Sequence, residues 1–93
     1  MKTIFKYPLV LKEVQTISIP EGAEFLSVRE QNDLPVAYFL VDPEQEKFSL
    51  EFKVLGTGQP IEDNYLKGFR YLETVSIYEG KLIWHIFSKK HLT

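Results

Sequence analysis

From residue 48 to residue 54 the chain reads Phe-Ser-Leu-Glu-Phe-Lys-Val, a strict alternation of apolar and polar side chains. Alternation is the period of a β-strand with one dry face and one wet face. Most of the chain follows the same rule. Ile4 to Tyr7 predicts a first strand, stopped by Pro8. Val14 to Ile19 predicts a second, with Ile17 and Ile19 on one face and Thr16 and Ser18 on the other. Phe25 to Glu30 predicts a third. Pro35 to Val41 predicts a fourth, and its unbroken apolar run from Val36 to Val41 marks a strand that is central or covered on both faces. Lys47 to Leu55 predicts a fifth.

Phe69 to Tyr78 and Lys81 to Phe87 predict a last pair around a tight Glu79-Gly80 turn, with Gly80 able to supply a positive φ. In the final strand Leu82, Trp84 and Ile86 alternate with Ile83, His85 and Phe87, so both faces read as buried. Only Ile61 to Lys67 fits a helix. Pro60 precedes it, Glu62 and Asp63 suit a first turn, and Asn64 and Gly68 limit it to a turn or two. Short, regular spacing of turn residues favours a sandwich or barrel over βαβ units. The expected fold is all-β: a compact sandwich or partly open barrel of about seven strands with at most one short helix, in a single domain spanning residues 1–93.

Composition narrows the function classes. An apolar fraction of 44% and an aromatic fraction of 14% suffice for a core. The net charge of −2, from 11 basic and 13 acidic groups, leaves no electrostatic footprint for duplex nucleic acid or an anionic membrane. The absence of cysteine excludes disulfides, thiolate zinc sites and cysteine nucleophiles, and suits a reducing cytosol. Lys6 and Pro8 interrupt the first apolar run too early for a signal peptide. No stretch approaches the roughly 18 apolar residues needed to span a bilayer. A cytoplasmic protein is expected.

The most distinctive local motif is Gly56-Thr57-Gly58-Gln59-Pro60. Its glycines allow backbone N–H groups to face an anion, and Thr57 and Gln59 add side-chain hydrogen bonds. It lacks the Gly-Lys-Ser/Thr of a phosphate loop and the third glycine of a dinucleotide fingerprint. Its plain reading is a wide turn leaving a strand. The neighbouring carboxylates Glu62 and Asp63 read better as solvated helix-start acids than as an acid–base pair. His85 lies between Ile83 and Phe87 and reads as a hydrogen-bonded structural histidine, and His91 as an exposed tail residue. A triad would need a hydroxyl and an acid beside His85, which spacing does not indicate.

Tyr38, Phe39, Tyr65, Phe69, Tyr71 and Trp84 form an aromatic reserve. Around Lys67 and Arg70 the interleaving suits base stacking with phosphate contacts, and equally a β core or a subunit interface. The candidate ligand site is Gly56, Thr57, Gly58, Gln59, Lys67, Arg70 and Tyr71. No catalytic residue, metal ligand or cofactor is expected, so the chain reads as a non-enzyme.

Several segments together resemble a family of small proteins of bacteriophages and prophages. They are Ile4-Phe5-Lys6-Tyr7-Pro8, Gln15-Thr16-Ile17, Pro20-Glu21-Gly22-Ala23, Phe25-Leu26-Ser27-Val28, Leu40-Val41-Asp42-Pro43-Glu44, the glycine loop through Ile61, and Leu82-Ile83-Trp84-His85-Ile86-Phe87. The likeness spans nearly the whole chain. The corresponding loop in that family reads Gly-Thr-Gly-His-Pro-Ile; Gln59 stands here in place of the histidine, which argues against an essential histidine at that position.

The resemblance implies a context rather than a chemistry. It points to a non-enzymatic phage accessory protein that counters host defence by binding in the cytoplasm of the infected cell. The partner is then a nucleotide immune signal, held in a pocket at a subunit junction, or a host defence protein. For the second mechanism Asp42, Glu44 and Glu46 are the acidic candidates. The alternative is a structural or housekeeping phage protein. The two strands apolar on both faces lead to the expectation of a homo-oligomer.

Overall fold

The computed structural model describes residues 1–90; His91 lies outside the described residues. Among these, the chain forms seven strands: β1 (Thr3–Pro8), β2 (Val14–Pro20), β3 (Glu24–Gln31), β4 (Leu34–Val41), β5 (Lys47–Gly56), β6 (Arg70–Ile77) and β7 (Leu82–Lys90). They make two antiparallel sheets, ordered β1-β4-β3 and β2-β5-β7-β6. The alternating strands read from the sequence are all present, to within a residue or three at their ends. The domain is a sandwich only 16 Å through its thinnest axis, the depth of two face-packed sheets. The sheets do not close into a barrel, so the sandwich alternative holds.

Alternation decides which side chains meet between the sheets. Leu50, Phe52 and Val54 of β5 face Val28, Ala37, Phe39 and Val41 of β3 and β4, with Val75 and Ile86 completing the layer. Phe52 and Ile86 are fully buried, each worth about 1.5–3 kcal/mol of apolar transfer. Phe39 sits at the centre, edge-on to Tyr7, Phe25 and Phe52 with ring centroids 5.9, 5.7 and 6.4 Å away. Burial pushes the Tyr7 phenol above its ordinary pKa.

The turns follow their residues. Asn32 and Asp33 both adopt positive φ (53° and 63°) in the two-residue β3–β4 hairpin. Gly22 supplies φ 78° in the turn that carries the chain from β2 in one sheet to β3 in the other, closed by the Ala23 N–H to the Pro20 carbonyl at 3.3 Å. Gln15 ties down the β1–β2 crossing, accepting from the Val10 N–H and donating to the Val10 and Lys12 carbonyls.

One seam is joined. β3 and β6, edge strands of different sheets, come together there, and each carries a bulge, at Leu26 and at Leu72. Bulges bend edge strands. The Glu73 carboxylate spans the seam and accepts the Val28 N–H at 3.3 Å.

Two expectations change. Residues 61–67 form no helix: the turns Glu62–Tyr65, Asn64–Lys67 and Leu66–Phe69 follow one another, and positive φ at Asn64 (70°) and Gly68 (81°) prevents helical continuation. The second face of β7 is only partly covered, for Ile83 remains 42% exposed. The connection 57–69 lies over the β5 side instead, where Lys53 and Leu55 are buried. The strand also runs on through Lys90, whose ammonium pairs with Glu21 at 2.7 Å. Among the described residues no helix is long and apolar enough to cross a membrane.

Candidate functional site

β5 and β6 run parallel with β7 between them, so residues 57–69 must cross from the end of one to the start of the other. The glycine loop begins that crossing. Gly56 to Gln59 is a tight turn, closed by the Gln59 N–H to the Gly56 carbonyl at 3.2 Å, with Gly58 at φ 86°. The Gly56 N–H goes to the Gln59 side-chain oxygen at 3.1 Å, and the Thr57 N–H to the Ile83 carbonyl at 3.3 Å. These donors therefore serve the fold rather than an open anion cradle.

Gln59 is a structural joint. Its amide also donates to Glu13 at 2.7 Å, and the Tyr65 hydroxyl donates to the other oxygen of the same carboxylate. The two bonds hold the Glu13 carboxyl below its usual range, the tyrosine bond first. The same bond pushes Tyr65 up to about 12.

Thr57 faces elsewhere. Its hydroxyl lies 2.7 Å from His85 Nε2; His85 Nδ1 lies 2.8 Å from the Thr74 hydroxyl, and Thr74 lies 2.6 Å from the Tyr71 hydroxyl. Thr74 and His85 are cross-strand partners on β6 and β7, and Leu55 flanks His85 on β5. A hydroxyl–imidazole chain thus crosses the outer face of the four-stranded sheet from the glycine loop to Tyr71. A neutral imidazole donates from one nitrogen and accepts at the other, and rotating hydroxyls match either tautomer. Tyr71 is braced edge-on against Phe87, centroids 5.5 Å apart.

Beside Thr57 opens a cleft of about 270 Å³, lined by Gly56, Thr57, Lys81, Leu82, Ile83 and Trp84. Gly56 and Trp84 are cross-strand partners, and a Cβ on Gly56 would stand 3.4 Å from the indole. Among the described residues the buried Trp84 indole N–H has no acceptor. An unmet buried donor of this kind costs about 1–3 kcal/mol.

The structure links two of the residues expected from the sequence, Thr57 and Tyr71, through His85 and Thr74. It does not bring Arg70 to them: Arg70 stands opposite Ser88 and its guanidinium lies 5.9 Å from the Phe25 ring of the other sheet. Lys67 is exposed on the crossing segment, and Gly58 lies at the turn. The cation of the cleft is Lys81, which the sequence reading passed over. Thr74 was also missed; counting back from a four-residue Tyr78–Lys81 loop pairs it with His85. Glu62 and Asp63 are exposed on the crossing segment. Asp42 accepts the Glu44 N–H and the Gln45 amide, the backbone bond first in holding its carboxyl below the ordinary range. Among the described residues no group of three or more His, Cys, Asp or Glu side chains converges as a metal site would.

No curated protein and no solved structure matches this chain. One family model, described as a domain of unknown function, DUF7352, matches residues 1–93. Matched along residues 1–93, the chain belongs to the DUF7352 family.

Proposed function

We propose that this domain works by binding, and that the cleft beside Thr57 and Trp84 takes a small polar ligand bearing phosphate and ribose hydroxyls. Nucleotide immune signals are of that class. The observation that carries the reading is the cleft itself, in which Gly56 and Thr57 of the glycine loop meet Trp84 and a cationic residue, Lys81. Lys81 meets a phosphate, and Thr57 with His85 meets sugar hydroxyls on the adjoining face. At about 270 Å³ the cleft lies just under the roughly 300–1,000 Å³ of pockets for drug-sized ligands, so it takes a small ligand or part of a larger one. Binding rather than catalysis is favoured because His85 is flanked by two threonine hydroxyls and not by the carboxylate that orients a catalytic base.

Together with the resemblance to phage proteins, this supports the reading of an accessory protein that sequesters a host immune signal. A second mechanism, direct blocking of a defence protein, is favoured by the exposed Tyr78, Leu82 and Ile83 at the β6–β7 hairpin. A structural phage component would instead be recovered in purified particles.

Trp84 is the only tryptophan, so its emission reports on the cleft directly. Titration with mononucleotides and cyclic dinucleotides is expected to give saturable changes, weakened about tenfold by Lys81→Ala, as loss of one charge-assisted bond implies. Expression in bacteria carrying a nucleotide-signalling defence is expected to restore phage growth, and Lys81→Ala to abolish that effect. Unchanged emission with every nucleotide tested overturns the sequestration reading.

A further inference from the structure

We propose that β1 is the self-association edge of this domain, and that two copies pair antiparallel through it about a two-fold axis at Phe5. The sandwich has four edge strands: β1 and β3 in one sheet, β2 and β6 in the other. β3 and β6 meet each other, with the Val28 N–H of β3 bound by Glu73 of β6. On β2 the exposed side chains are Val14, Thr16 and Ser18, apolar only at the start of the strand. On β1, by contrast, Ile4 is 58% and Phe5 39% exposed. Phe5 also ends an edge-to-face aromatic row, Phe25–Phe39–Tyr7–Phe5, that runs from the core out to this edge. An apolar side chain at an unpaired strand edge invites a further strand.

The backbone selects the register. The Leu9 N–H donates to the Pro35 carbonyl of β4 at 2.8 Å, and the β1–β4 ladder is regular from Thr3 to Pro8. In an antiparallel ladder successive residues point their backbone groups to opposite sides. Odd-numbered residues therefore turn toward β4, and Ile4, Lys6 and Pro8 turn outward. Pro8 has no N–H to offer.

Centring the pair on Lys6 sets two lysines face to face and places Ile4 against the donorless Pro8. Centring it on Ile4 sets Lys2 against the partner's Lys6. Like charges directly opposite are unfavourable. Centring on Phe5 avoids both lysine oppositions and leaves Pro8 opposite only Lys2, just outside the strand. Ile4 then exchanges N–H and C=O with the partner's Lys6, Lys6 does the same with the partner's Ile4, and the two Phe5 rings meet on the inner face. The Lys6 ammonium lies clear of the edge, donating to Gln31 at 3.3 Å on the outer face. The strip is short, well below a standard interface, so the dimer is weak and concentration-dependent.

The chain has no cysteine, so one introduced thiol reports one place. Phe5→Cys puts the two thiols at a directly opposed, non-hydrogen-bonded pair, whose Cα separation of about 4.5 Å lies within the range a disulfide spans. Oxidation is expected to trap a covalent dimer of Phe5→Cys and to leave Thr16→Cys, on β2, monomeric. Sedimentation equilibrium of the unmodified chain is expected to show a monomer–dimer equilibrium, weakened about tenfold by Phe5→Lys through like-charge opposition. A strict monomer at high concentration overturns the proposal. So does a dimer that Phe5→Lys leaves intact, or crosslinking as ready at Thr16 as at Phe5.

Discussion

The Lys53 ammonium lies 3.5 Å from the centroid of the Tyr65 ring and donates a 2.7 Å hydrogen bond to the Tyr65 carbonyl. Phe69 closes the other side, its centroid 4.3 Å away. A charged residue on the outer face of β5 is thus buried, at 8% exposure, as the peg on which the crossing segment hangs. Lys53→Met keeps the aliphatic stem and removes the charge. It is expected to cost about 1–3 kcal/mol in urea denaturation, the combined loss of one charge-assisted bond and two cation–π contacts. Amide exchange is expected to speed up across residues 57–69 and to change little in β4.

The Tyr65–Glu13 bond makes stability depend on pH at both ends. Tyr65 has its pKa raised from 10.0 to about 12 in the folded chain, so its contribution is complete below pH 10 and is lost as pH rises toward 12. Glu13 is lowered from 4.5, so its contribution is present above pH 4.5 and is lost as pH falls through the folded value. Tyr65→Phe is expected to remove the alkaline limb in a denaturation series and to shrink the acid limb, which the Gln59 bond to Glu13 partly preserves. Absorbance titration should lose the tyrosine that titrates at about 12. A variant with the parent's pH profile would sink this account.

Glu73 joins the two sheets at their common seam through the Val28 N–H. Glu73→Ala leaves that amide unpaired in a half-buried place and is expected to cost about 1–2 kcal/mol in thermal or urea unfolding. Glu73→Gln retains an acceptor and is expected to recover most of the loss. Equal destabilisation by both variants would mean that the charge, not the bond, holds the seam.

The β6–β7 loop holds Tyr78, Glu79 and Gly80 at φ 52°, 56° and 84°. Two of these residues carry a Cβ in the left-handed region, which costs roughly 1 kcal/mol each outside glycine and asparagine. Glu79→Asn is expected to stabilise the domain by about 0.5 kcal/mol, seen as a higher melting temperature. An unchanged or lower melting temperature contradicts it.

Much of the fold was legible because the strand period is local. Phe48 to Val54 announces its two faces without reference to anything distant, and Asn32-Asp33 and Gly80 mark hairpins by their own tolerance of positive φ. The absence of the one short helix left open at residues 61–67 is local as well: Asn64 and Gly68 stood in the sequence as limits, and left-handed backbone at both prevents it. Sequence alone also determined what chemistry was absent, since a chain without cysteine has no thiolate to use.

Tertiary structure decided everything that depends on which strands are neighbours. Thr57, Thr74 and His85 are far apart in the chain, and only the β5-β7-β6 order sets them in one hydrogen-bonded row. The same order forces residues 57–69 to cross the sheet, which buries Lys53, engages Gln59 with Glu13 and turns Arg70 toward the opposite sheet. A charge read from sequence is only a candidate; whether it becomes a peg, a joint or a ligand contact is set by the partners the topology brings within hydrogen-bonding distance.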